Sequence, residues 1–153
     1  MEKMYPNMVR IKSYFKTKLY YNKETLEEIR TYTPDDKEYI VNALIDEGLT
    51  EDEMTFETDE TYLSDVGFFS YREGEYPQMT HFYLDKDKRG FENARKLIRQ
   101  FWKLMIGKGV LFYIMEVPQS KPYIARFAKY LKGKEYTEKD GNRYYYIPIG
   151  GRL

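Results

Sequence analysis

The stretch His81-Phe82-Tyr83-Leu84-Asp85-Lys86-Asp87-Lys88-Arg89-Gly90-Phe91-Glu92-Asn93-Ala94 contains a change of rhythm. Its first four residues close a β-type segment that begins at Gln78. Four charged residues follow, too polar to be core, and so form a connection. From Phe91 the apolar residues recur at steps of three and four: Phe91, Ala94, Leu97, Ile98, Phe101, Trp102 and Met105. That spacing places them on one face of a helix, with Arg95, Lys96, Arg99 and Lys103 on the other. Gly107 and Gly109 end it. The stretch is a strand passing into a long helix through a short charged loop with a glycine.

Downstream, Val110-Leu111-Phe112-Tyr113-Ile114-Met115 is almost continuously apolar, which predicts a central strand covered on both faces. Pro118 breaks it. Ile124, Phe127, Ala128 and Leu131 mark a second one-faced helix that ends near Gly133. Lys134 to Glu138 and Arg143 to Ile149 form a closing hairpin around Asp140-Gly141. Upstream, Thr61 to Tyr71 and Gln78 to Leu84 are strand-like, separated by the hairpin loop Arg72 to Pro77. Thr33, Pro34 and Asp36 have the order of an N-cap, a first helical position and a capping-box acid. The helix they open has Tyr39, Ile40, Ala43 and Leu44 on its apolar face and stops at Gly48. Met8 to Tyr21 predicts a first strand, and Asn22 caps a short helix through Thr25, Leu26 and Ile29. Without repeats or a linker, residues 1–149 are expected to be a single domain, with Gly150 to Leu153 as a tail. The order predicts an α/β fold with helices on the faces of a mixed sheet.

The 153 residues carry 25 basic and 25 acidic side chains, so no net field draws the chain toward nucleic acid or a membrane. No apolar run approaches the ~20 residues that span a bilayer. The opening Met1-Glu2-Lys3-Met4-Tyr5-Pro6 lacks the apolar stretch of a signal peptide, and a cytoplasmic location is expected. There is no cysteine and only one histidine, His81, so thiolate chemistry, a Ser-His triad and a metal site are not expected. Seventeen tyrosines suit half-buried strand faces and interfaces.

From the central hairpin onward, residues 55–149 resemble the GCN5-related N-acetyltransferase (GNAT) superfamily. The resemblance implies a mixed, mostly antiparallel sheet flanked by helices. In that superfamily a strand ends in Arg/Gln-x-x-Gly-x-Gly/Ala and opens a long helix, whose first amides hold the pyrophosphate of coenzyme A. Arg89 matches the first position and Ala94 the last, Gly90 stands where glycine is common, and Glu92 replaces the central glycine. The resemblance implies acetyl-CoA as cofactor, with Tyr83, Leu84, Arg89, Gly90, Phe91, Asn93 and Ala94 as its contacts. Met115-Glu116-Val117-Pro118-Gln119-Ser120 is similar to a Leu-Glu-Val-x-x-Ser-Asn stretch of the ribosomal-protein alanine N-acetyltransferases, with Lys121 in place of the asparagine. That similarity implies Glu116 as the base that deprotonates an amine; the alternative is a plain strand-end carboxylate. The tyrosine that protonates the departing thiolate falls at Ala128, which leaves Tyr130 and Tyr123, both out of register, as stand-ins.

Two functions follow. One is transfer of an acetyl group from acetyl-CoA to an amine, with Glu116 and Tyr130 as the catalytic pair. The other is a non-catalytic protein of the same fold, similar to small GNAT-like phage proteins through the helix Arg126-Phe127-Ala128-Lys129. It would bind a protein partner, another copy or a larger particle, in the host cytoplasm or a virion. Nucleic-acid binding through Arg95, Arg99 and Lys103 ranks last.

Overall fold

The computed structural model describes residues 29–150. The expected strand Met8 to Tyr21, all but the end of the helix capped by Asn22, and Gly151 to Leu153 lie outside the described residues. The described elements begin with β1 (Arg30–Thr31), α1 (Lys37–Asp46), β2 (Glu60–Leu63) and β3 (Gly67–Arg72). They continue with β4 (Gln78–Leu84), α2 (Phe91–Gly107), β5 (Phe112–Val117), α3 (Pro122–Tyr130), β6 (Lys134–Lys139) and β7 (Asn142–Pro148). The seven strands form one sheet in the order β1-β2-β3-β4-β5-β7-β6. Every neighbouring pair is antiparallel except β4 and β5. The expected mixed, mostly antiparallel sheet is what the chain forms.

The start of α1 follows its sequence signature. Thr33 caps a short 3-10 turn, Pro34–Asp36, that runs into the helix. The Thr33 N–H donates to the Asp36 carboxylate at 2.9 Å. The same carboxylate grips Arg30 of β1 at 2.7 and 2.9 Å, which fixes the angle between strand and helix. The Arg30 guanidinium holds the Asp36 pKa down at about 2. Gly48 takes φ 92° just past the helix, where a side chain would be strained.

Two apolar clusters occupy the two faces of the sheet. The larger joins α2 and α3 to the strands through Leu97, Phe101, Met105, Tyr113, Tyr145 and Ile147. Trp102 lies in it, and its indole N–H donates to the Tyr113 hydroxyl at 3.2 Å. The smaller packs Ile40, Ala43 and Leu44 of α1 against Phe68 and Tyr83.

The structure departs from the sequence reading in two places. Thr61 to Tyr71 is not one strand: Ser64-Asp65-Val66 turns the chain, and the Ser64 N–H donates to the Gly67 carbonyl at 2.8 Å. Polar Ser-Asp before a glycine is a turn signal inside an otherwise apolar run. β5 is central but, among the described residues, covered by helices on one face. Its residues alternate in burial, Tyr113, Met115 and Val117 inward, with Phe112 still 44% exposed. The apolar continuity of the segment comes from a half-covered face lined with aromatics, not from helices on both sides.

Candidate active site

β4 and β5, the one parallel pair, share only two positions, Gln78 opposite Ile114 and Met79 opposite Met115. Beyond these the strands part. Thr80 and Glu116 are the first residues past the last pair, so they stand at the apex of the wedge. A cleft of about 830 Å³ opens there, lined by Thr80, His81, Phe82, Glu116, Asn142 and Lys121 among others. α1 contributes Leu44 to its rim and Glu47 follows at the helix end, α2 contributes Ala94, and α3 contributes Tyr123, Ile124 and Phe127.

A β-bulge bends β4 at the apex. In the β3–β4 ladder, Ser70 faces His81 and Tyr71 faces Met79, which leaves Thr80 as the extra residue. Thr80 and His81 therefore both reach the turn at Thr55 to Asp59. The Thr80 hydroxyl donates to the Asp59 carboxylate at 2.8 Å, and the Thr55 N–H donates to His81 Nε2 at 3.2 Å. The Thr55 hydroxyl also donates to Asp59, and Arg72 pairs with that carboxylate at 3.5 Å. Accepting the Thr55 proton requires His81 to be neutral at Nε2. Burial pushes its pKa below 6.5, partly opposed by Asp59. His81 is thus a supporting residue of the bulge.

At the loop into α2, Asp85 ties back to α1 by accepting from the Tyr39 hydroxyl. Gly90, at φ 148°, sits where a Cβ would meet nothing within 4 Å. The Asn93 side chain closes the loop by donating to the Lys88 carbonyl at 2.7 Å. The Ala94 N–H bonds back to Gly90 at 3.0 Å, so the amides of Phe91, Glu92 and Asn93 precede the first helical bond. Glu92 points away from the loop: its side chain is 83% exposed and pairs with Arg95 at 2.6 Å. It therefore does not fill the space that the missing glycine would leave. Arg89 lies over the Tyr83 ring, donates to the Leu84 carbonyl at 2.9 Å and meets Glu47 at 3.1 Å. Lys121 reaches the backbone oxygen of the same Glu47 at 3.3 Å. The end of α1 is thus held by a cation from each side of the wedge.

On β5, Glu116 accepts from the Asn142 side chain at 2.6 Å and stands opposite Tyr144 in the ladder with β7. Burial and the charge of Glu116 raise the Tyr144 pKa. Tyr130 lies elsewhere, at the end of α3, edge-on to Phe91 with ring centroids 4.8 Å apart. Ala128 is fully buried in the core, whereas Tyr123 is on the cleft wall. Tyr83 turns its ring into the α1 cluster, against Phe68. Of the residues singled out in the sequence, Glu116 and Ala94 line the cleft, as does Tyr83. Arg89 and Gly90 form the loop beside it, and Phe91 and Asn93 the first turn of α2. Asn142, Glu47 and the Thr55–Asp59 turn were not legible as parts of the site. The Asp140-Gly141 turn did mark a hairpin tip, but not that the tip reaches β5.

No protein-family model matches the chain, and no curated protein matches it by sequence. Solved structures do match in three dimensions. A GNAT-family acetyltransferase from Staphylococcus aureus superposes with a TM-score of 0.65 at 12% identity, covering 80% of this chain and 98% of that one. A GNAT-family acetyltransferase from Listeria monocytogenes gives 0.60 at 14% identity, over 79% and 94% of the two chains. A ribosomal-protein alanine N-acetyltransferase from Escherichia coli gives 0.59 at 13% identity, over 82% and 95%. With the parted parallel strands and the loop into α2, these likenesses show that the chain has the GCN5-related N-acetyltransferase fold.

Proposed function

We propose that the protein transfers an acetyl group from acetyl-CoA to an amine, with Glu116 as the base. The observation that supports this most is the position of Glu116 at the apex of the wedge, its carboxylate on the cleft wall. The residues present fit the cofactor: Gly90 leaves open space before α2, and Glu92 turns outward. Amides at the start of α2 would hold the pyrophosphate, with the positive end of the helix dipole behind them. Arg89 in the loop and Lys121 on the cleft wall add two cations beside the cleft, both bound to Glu47. Acetyl-CoA would supply the activated acyl carbon. Glu116 accepts the amine proton as the N–C bond forms and the C–S bond breaks. Tyr130 packs against Phe91 and does not line the cleft, and a thiolate is a tolerable leaving group without a dedicated acid.

Acetyl-CoA at about 100 times its dissociation constant should stabilise the fold by about 2.7 kcal/mol, seen as a rise in Tm. Glu116→Gln should keep that rise and lower kcat at least tenfold. No thermal shift at millimolar acetyl-CoA would sink the enzyme reading. It would leave the second one, a non-catalytic interaction protein, for which the exposed Phe112, Tyr76 and Tyr136 supply a surface.

A further inference from the structure

We propose that Asn142 is a positioning residue that holds Glu116 in its working orientation. This rests on the base role given to Glu116 above. Asn142 opens β7 just after the Asp140-Gly141 turn, where both residues have positive φ, 56° and 83°. Such a two-residue turn matches the twist of the hairpin and fixes its register. Glu116 pairs with Tyr144 across the β5–β7 ladder, so Asn142, two residues earlier, lies diagonally beside it on the same face.

The amide of Asn142 has a defined orientation. Its oxygen accepts from the Gln119 N–H at 3.4 Å, and its nitrogen donates to Glu116 Oε2 at 2.6 Å. Exchanging the two atoms would set an oxygen against the carboxylate and an NH2 against the Gln119 N–H, losing both bonds. The turn itself is packed on the same connection: a Cβ at Gly141 would come within 2.9 Å of Gln119 Oε1. The β6–β7 hairpin tip, the β5–α3 connection and Glu116 therefore form one unit. Within it Asn142 occupies one oxygen of Glu116, which directs the carboxylate plane into the cleft that both residues line. Aspartate at 142 has the shape of asparagine without the donor, and alanine removes both.

Two measurements on the full chain test this. In ligand-free protein, the 13C resonance of the Glu116 carboxylate is identified by its loss in Glu116→Gln. Asn142→Ala and Asn142→Asp should each displace it; an unmoved resonance overturns the proposal, whatever the activity. In steady-state kinetics, Asn142→Ala should lower kcat about tenfold with the KM for acetyl-CoA unchanged. In the Glu116→Gln background the same substitution should change kcat less than twofold. A residue that only braced the hairpin would lower the rate equally in both backgrounds. If Glu116→Gln keeps full activity, the base role fails, and the resonance alone then decides whether Asn142 orients the side chain.

Discussion

Gly67 illustrates how much one side chain can decide in this sheet. A Cβ there would lie 1.9 Å from the carbonyl oxygen of Tyr83, a backbone atom that cannot swing aside. Gly67→Ala should therefore force β3 away from β4 and cost about 3 kcal/mol, measured as a lower urea midpoint. Unchanged stability would show that the β3–β4 pair tolerates a methyl group at this position. His81 gives a pH signature. Its folded pKa lies below the 6.5 of the free side chain. Above about 6.5 the ring is neutral in both states, and its contribution is fully present. As pH falls toward the folded pKa, the unfolded chain takes up the proton first, and stability is lost. The slope should not exceed about 1.4 kcal/mol per pH unit. Comparing urea midpoints at pH 7.5 and 5.5 should show that loss in the parent and a weaker one in His81→Gln. A parallel loss in both would assign the effect to other groups. A lone histidine argued against a triad or a metal site, but its Thr55 partner and the nearby Asp59 come from a turn 22 or more residues away.

Among the elements, α2 was the most readable. Its apolar stripe is long, and Leu97, Ile98, Phe101 and Met105 are all fully buried. Phe91 is the exception, 54% exposed, because the stripe reaches the helix's first residue before the sheet can cover it. Tyr130 and Arg95 cover it instead. The loop before α2 was readable in its ends and not in its middle. Sequence alone places Glu92 at the position of a lost glycine, where it suggests a blocked site. The helix start rotates that side chain outward to Arg95, since Glu92 and Arg95 lie three residues apart and share a face. The bulge in β4 was not readable at all, because Met79-Thr80-His81 keeps an unremarkable strand composition while the ladder slips by one residue.

At the scale of the whole molecule, the wedge between β4 and β5 is the feature on which the proposed function rests. Among the described residues, amides of β4 past Met79 and of β5 past Met115 that face the gap have no partner strand across it. In hydrogen exchange these amides should become protected when acetyl-CoA is added, while the β6–β7 hairpin is unchanged. Equal protection of both, or of neither, would count against binding in the wedge. Local signals decided the elements: apolar period, the Thr33-Pro34-Asp36 start, the Asp140-Gly141 turn and the glycine stops each act within a few residues, where the chain's own geometry sets the outcome. The sequence determined that an α/β sheet forms, and in what order its parts come. Tertiary structure alone decided that β4 and β5 part after two residues, that Glu116 stands at the parting, and that Asn142 and Glu47 meet their partners there. Those contacts join residues 26 to 74 positions apart. Nothing in the local pattern selects such partners; packing of both faces of the sheet does.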